Sequence, residues 1–259
     1  MARHPEMAAL DSHAGTILLY DLAGADDERR ISPFCWRIRM ALAHKGLAVQ
    51  AIPWRMIEKE QIAASGETTV PVIVDAACVV GNSWSIAEYL DAKYPALPLF
   101  ESPQARAYCL WIHHWTERTL HPLIVPIILE DVLAVLHPMD KAYFRQTREK
   151  AYRKTLEEVF DRSPEAYERL SRAMAPLRRL LQQSTFIGGS EPGYGDYIVF
   201  GALQWARCCS PQPILAKPDD PIVAWFARML DLHAGLGRAA KSYPTLADAH
   251  AQDTGVDDK

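Results

Sequence analysis

The sequence predicts a small mixed α/β domain followed by an all-helical domain. Three observations carry this. A strand–helix–strand unit opens the chain between Thr16 and Trp54. A Val-Pro pair, Val70-Pro71, then enters two short strands and a further helix. Past the proline-rich break "YPALPLFESP" (Tyr94 to Pro103), every periodic segment has helical spacing.

The elements can be justified in order. "TILLYDL" (Thr16 to Leu22) is apolar with β-branched residues at its start, and reads as a buried strand. "AGADDERR" (Ala23 to Arg30) is a polar loop. Ser32 is a good helix N-cap, and Pro33 suits the first helical position, where no N–H is needed. Phe34, Ile38, Ala41 and Leu42 recur at helical spacing, and Gly46 sits where a C-terminal glycine belongs, so the spacing predicts a helix from Ser32 to Lys45. "LAVQAIPW" (Leu47 to Trp54) is the second strand.

Val70 to Asn82 reads as two short strands with a tight turn near Asp75 to Ala77. Ser83 to Pro95 reads as a helix capped by Ser83, with Ile86, Leu90 and Tyr94 on its apolar face. The helical half divides into Gln104 to Leu136, Asp140 to Phe160, Pro164 to Gln182, Gly195 to Cys208 and Pro221 to His233. A βαβ unit, a Val-Pro entry into a hairpin and then a helix is the thioredoxin-like order. The expected domains are 14–95 and 103–240, with flexible tails at 1–13 and 250–259.

Composition narrows the function classes. The 259 residues carry a net charge of −4, with 49% hydrophobic and 23% charged residues. That is an ordinary globular balance with no basic field for a nucleic acid. No apolar run approaches the roughly 20 residues of a membrane span. The first 16 residues lack a signal-peptide core. Five cysteines without a CxxC pair suit a reducing compartment, so the expected location is the cytoplasm.

Three helix or strand starts are candidate sites. Ser32 is either a plain cap or a group that donates a hydrogen bond to an anion, such as a thiolate, at the positive end of a helix. No G-x-S-x-G elbow surrounds it, which argues against a hydrolase nucleophile. Val70-Pro71 is either an edge strand that starts at Pro71 or a cis peptide that leaves the Val70 backbone free for a ligand. Asn82-Ser83 is either a plain cap or a carboxylate site.

Taken together, the order strand, Ser-Pro helix, Val-Pro strand, Asn-Ser helix and helical half resembles the glutathione transferase superfamily, from about Thr16 to Arg238. Narrower stretches resemble the bacterial glutathione-dependent lignin β-aryl etherases and their fungal transferase relatives. These are "YDLAGADDERRISPFCWRIRMALAHKG", "YFRQTREKAYRKTLEEV" and "PIVAWFARMLDLHAGLGR". The resemblance implies glutathione as cosubstrate, with Ser32 at its sulfur, Val70 before cis-Pro71 pairing with its cysteine backbone, and Ser83 holding its γ-glutamyl carboxylate. The family's usual acidic residue before that serine is here the neutral Asn82. A second departure is Gly193, where the family has the Ser or Thr of a capping box with Asp196. A dimer is also implied, either of two copies or with a different partner chain.

Other residues have bland and functional readings side by side. Trp111 and Trp115 share a helix face and are either packing residues or an aromatic wall for an acceptor substrate. His113, Glu117 and His121 recur at four-residue spacing, but Pro122 follows and no supporting shell is visible, so no metal is expected. Arg37, Arg39 and Lys45 read as a solvated basic face. Cys35 reads as a buried filler, because Ser32 leaves it without a partner for disulfide exchange.

The resemblance therefore implies a glutathione transferase acting on an aromatic electrophile, with β-aryl ether cleavage as the specific candidate. A non-catalytic ligand carrier, or a structural subunit of a heterodimer, is the alternative that Asn82 favours. A reductase of mixed disulfides is disfavoured by serine at position 32.

Overall fold

The computed structural model describes residues 15–253. The first unit is a four-stranded sheet in the order β2-β1-β3-β4, built from β1 (Ile17–Leu22), β2 (Val49–Trp54), β3 (Val72–Asp75) and β4 (Cys78–Gly81). β1 and β2 run parallel with Ile17 opposite Val49, as the crossover through helix α1 (Pro33–His44) requires. β3 pairs antiparallel with β1, Val72 opposite Tyr20, and β4 returns antiparallel to β3. Helix α2 (Ser83–Lys93) follows β4. A short 3-10 helix, Lys59–Ser65, fills the link between β2 and β3.

The second unit is helical: α3 (Pro103–Trp115), α4 (His121–Val135), α5 (Pro138–Tyr152), α6 (Leu156–Val159), α7 (Pro164–Ala173), α8 (Ala175–Leu181), α9 (Tyr194–Cys209), α10 (Pro221–Gly235) and α11 (Leu246–Asp253). Almost every residue of α9 is buried, which suits a helix with no polar stripe at the centre of a bundle. It packs along α1, with Trp36 meeting Phe200 edge-on at 6.3 Å. The two units thus share one continuous core.

Several expectations are corrected. The run Gln104 to Leu136 is broken by a π turn at Thr116–Leu120, where the His121 N–H reaches the Thr116 carbonyl. Pro122, lacking an N–H, could not continue an α ladder there. The run Asp140 to Phe160 breaks at Arg153, which is left-handed, and Thr155 with Glu158 caps a new turn. The run Pro164 to Gln182 splits at Met174. α10 kinks at Leu232 to Ala234. The tail expected from 250 begins inside α11, and its last six residues, like residues 1–13, lie outside the described residues.

The supposed basic face of α1 is not solvated. Arg37 is fully buried, Lys45 pairs with Asp91 at 2.6 Å, and Arg39 pairs with the buried Asp21 at 2.8 Å. Elements distant in sequence cover this face, so the local pattern of charges gave no sign of it.

Candidate functional site

Two cavities adjoin where the units meet. The larger, about 600 Å³, has walls from both: Ser32, Trp54 and Met56 on one side, Val125, Phe144 and Trp205 on the other. The smaller, about 260 Å³, is lined by Glu67, Pro71, Asn82, Ser83 and His113. Phe34, Thr69, Val70 and Glu117 line both. The five residues that the resemblance assigns to glutathione gather here: Ser32 at the larger cavity, Pro71, Asn82 and Ser83 at the smaller, Val70 at both.

Ser32 caps α1 from an extended backbone conformation. Its Oγ accepts the Cys35 N–H at 3.2 Å and its carbonyl accepts the Trp36 N–H at 3.1 Å. Because the hydroxyl oxygen accepts in the cap, its own hydrogen is left to donate. The side chain is buried yet lines the cavity, so an anion placed there would meet a hydroxyl donor and a helix N-terminus in a partly dehydrated setting. Cys35, one turn on, is fully buried, and burial with the nearby Asp21 charge pushes its thiol well up. It is a packing residue there.

The Val70–Pro71 peptide is cis, and the ladder with β1 begins only at Val72, leaving residues 70 and 71 outside it. The edge-strand reading, with a strand starting at Pro71, is therefore replaced.

At α2 the cap is Asn82, not Ser83. Asn82 has φ 65, and its Oδ1 accepts from Trp84 N–H at 2.9 Å and Ser85 N–H at 3.4 Å. Ser83 is the first helical residue, buried at the smaller cavity. Its carbonyl accepts the hydroxyl of the buried Tyr194 at 2.8 Å, so α9 anchors the N-terminus of α2.

Of the triplet, His113 on α3 and Glu117 on the π turn meet Arg37, while His121 opens α4. Arg37 Nη1 meets His113 Nδ1 at 2.9 Å and Glu117 Oε1 at 3.6 Å, while His113 Nε2 lies 3.2 Å from the same carboxylate oxygen. Burial, aided by the Arg37 charge, lowers His113 to about 4 and His121 to about 3. Both imidazoles are thus neutral at pH 7. Phe34 lies under Arg37 at 4.7 Å and edge-on to His121. The π turn brings Glu117 to the boundary of the two cavities.

Trp111 and Trp115 are corrected. Their rings stack on each other at 6.4 Å, and neither lines either of these two cavities. Trp111 is 58% exposed. The aromatic walls come instead from Phe34, Trp54, Tyr143, Phe144, Tyr152 and Trp205. Sequence reasoning also missed Glu67, Lys59, Arg148 and Tyr194. For Glu67 a weak signal existed: it lies three residues before Val70.

The fold and the paired cavities define a class, a thioredoxin-like unit joined to a helical unit with ligand-sized space between them. The chain matches the family model "Glutathione S-transferase, N-terminal domain" over residues 28–101 and "Glutathione S-transferase, C-terminal domain" over residues 107–227. It belongs to the glutathione S-transferase superfamily. Among curated relatives, it is 40% identical over 68 residues to Glutathione S-transferase Z1 of Arabidopsis thaliana, covering 24% of this chain and 31% of that one. It is 29% identical over 144 residues to the glutathione S-transferase-like protein ustS of Aspergillus flavus, covering 49% and 50%. The chain thus spans from about a third to a half of these relatives' lengths. Among solved structures, glutathione transferase GSTFuA3 of Phanerochaete chrysosporium superposes with TM-score 0.69 at 23% identity, over 94% of this chain and 99% of that one. Glutathione S-transferase CsGST63524 of Ceriporiopsis subvermispora, solved in complex with glutathione, gives 0.68 at 22%, over 94% and 99%. At these identities the superpositions establish the fold.

Proposed function

We propose that this protein activates the thiol of glutathione at Ser32 and directs the thiolate at an aromatic electrophile in the larger cavity. The observation that carries this is the placement of the Ser32 hydroxyl on the wall of an aromatic cavity that adjoins a polar one. In this reading glutathione occupies the smaller cavity. Its γ-glutamyl carboxylate meets Ser83 and the N-terminus of α2, its cysteine backbone meets Val70, and its sulfur reaches Ser32.

The thiol proton passes to water, and the Ser32 hydroxyl and the α1 N-terminus stabilise the thiolate that remains. For a β-aryl ether next to a carbonyl, the sulfur forms a bond to the carbon bearing the aryloxy group. The C–O bond breaks, and the aryloxide takes a proton from solvent. The cavity holds the two reactants in line, which is where most of the acceleration would come from. The working form is a dimer of two copies or of this chain with another, and the five free thiols fit a reducing cytoplasm.

Titrating the purified protein with glutathione at neutral pH, while following thiolate absorbance in the ultraviolet, tests this. A saturating signal is expected, reduced in Ser32→Ala more than binding is weakened. An unchanged signal in that variant would leave Ser32 a simple cap. No signal at all would favour the second reading, a binding or structural subunit. That reading draws its support from Asn82, whose Oδ1 is taken up in capping α2.

A further inference from the structure

The larger cavity is apolar along most of its wall, yet two cations face it from opposite units: Lys59 on the 3-10 helix and Arg148 on α5. Neither lines the smaller cavity. Each is half-buried and held over aromatic rings. Lys59 Nζ lies 4.9 Å from the Trp54 ring and 4.8 Å from the Tyr143 ring, and Arg148 Cζ lies 5.1 Å from the Phe144 ring. Tyr143 and Phe144 are consecutive on α5, and Arg148 follows Phe144 by four residues, so the two cations flank one stretch of wall.

Lys59 Nζ donates one hydrogen bond to the Thr68 carbonyl at 2.5 Å, which leaves its other N–H donors, and several nearby carboxylates have partners of their own. Glu149 and Glu157 are taken by Arg145, Glu58 accepts the Arg55 N–H, and the buried Asp140 accepts the Ile57 N–H. Among the described residues, Glu117 is the one carboxylate on the cavity wall, and it is engaged by Arg37 and His113 at the boundary with the smaller cavity. Two partly dehydrated cations without a carboxylate partner, beside an aromatic wall, form a receptor for an anion attached to an aromatic body.

We infer that the acceptor of this protein is an aromatic compound carrying an anionic group, a carboxylate or a comparable oxyanion, that Lys59 and Arg148 bind. This rests on the reading of the larger cavity as the acceptor site and adds its substrate class. The aromatic rings hold the body, the two cations hold the charged end, and the reactive carbon is left toward Ser32.

Calorimetry with 4-phenoxybenzoate and its neutral primary amide tests this without any turnover, so a failure of thiol activation would not obscure it. The benzoate is expected to bind about tenfold more tightly than the amide at low salt, with the preference shrinking as salt rises. Lys59→Met with Arg148→Met should abolish the preference while leaving amide affinity within about twofold. Lys59→Arg with Arg148→Lys should retain most of it, which separates charge from packing. Equal binding of the two ligands by the unaltered protein would overturn the inference. So would a preference that survives in the double methionine variant.

Discussion

A Cβ atom on Gly201 would stand 2.4 Å from the carbonyl oxygen of Pro33. α9 and α1 therefore touch backbone to backbone one residue beyond Ser32, and the helical unit sets where the N-terminus of α1 lies. Gly201→Ala adds a methyl group against a carbonyl that no rotamer change can move. The intrinsic helix preference for alanine, about 1 kcal/mol, works the other way. Overpacking of roughly 1–3 kcal/mol outweighs it. Calorimetry should show a lower melting temperature, and the glutathione titration a weaker thiolate signal, although no cavity residue has changed. A stable variant with a full signal would mean that the helices can part without moving Ser32.

Glu67 lies across Gly81, where an added Cβ would meet its Cγ, and this sets it beside Asn82 at the smaller cavity. With Asn82 neutral and occupied in capping, and Glu117 engaged by Arg37 and His113, the carboxylate at the smaller cavity left to a γ-glutamyl ammonium is Glu67. Glu67→Gln should raise the dissociation constant for glutathione about fivefold, the size of one partly exposed charged hydrogen bond. Glutathione acetylated on its amino group should lose nothing further in the variant. If both ligands weaken equally, Glu67 acts through packing on Gly81 alone.

What the sequence disclosed and what it hid divide along a physical line. Ser32-Pro33, Val70-Pro71 and the strand boundaries are local: capping chemistry and the missing proline N–H act within a few residues. Asn82 and Ser83 are both cap-type residues in succession, and only the positive φ of Asn82 selects it. The Trp111 and Trp115 stripe announces a shared face but not what covers it, and the π turn at Thr116–Leu120 shifts the helix phase beyond them. Lys59 meets Tyr143, and Tyr194 meets Ser83, across intervals that no periodicity spans.

Asp196 bears on whether α9 can hold α1 and α2 at all. Its buried carboxylate accepts from the N–H groups of Ile187 at 2.7 Å, Gly188 at 3.2 Å and Gly193 at 3.0 Å, and from Trp225 Nε1 at 2.8 Å. Gly193 has no hydroxyl to return the bond, so one half of a capping box is present, and the carboxylate gathers three segments instead. Asp196→Asn turns an amide N–H₂ toward these donors and leaves at least one buried N–H unpaired. The cost should be about 3 kcal/mol, read as a melting temperature lower by roughly 6–12 °C. Loss of less than about 1 kcal/mol would show that the loop at Ile187 to Gly193 can re-pair on its own.

Acid should destabilise the domain interface through its histidines before most carboxylates titrate. Burial holds His113 at about 4 and His121 at about 3, against about 6.5 in an unfolded chain. The folded state keeps both neutral while the unfolded state begins to bind protons below pH 6.5. Their contribution is therefore complete above that pH, falls as pH drops, and stops falling at the folded values. Between pH 6 and 5 the unfolding free energy should decline, each histidine adding a slope that approaches about 1.4 kcal/mol per pH unit. His121 is the cleaner probe, because its Nε2 is buried without a hydrogen-bond partner among the described residues. His121→Leu removes a titrating group and an unpaired polar atom together. Denaturant unfolding at a series of pH values should show a shallower slope over that interval, with stability at pH 7 equal to or above that of the unaltered protein. An unchanged slope would mean that His121 protonates as readily in the folded state as in the unfolded chain, and that the wall between Phe34 and Trp205 admits water.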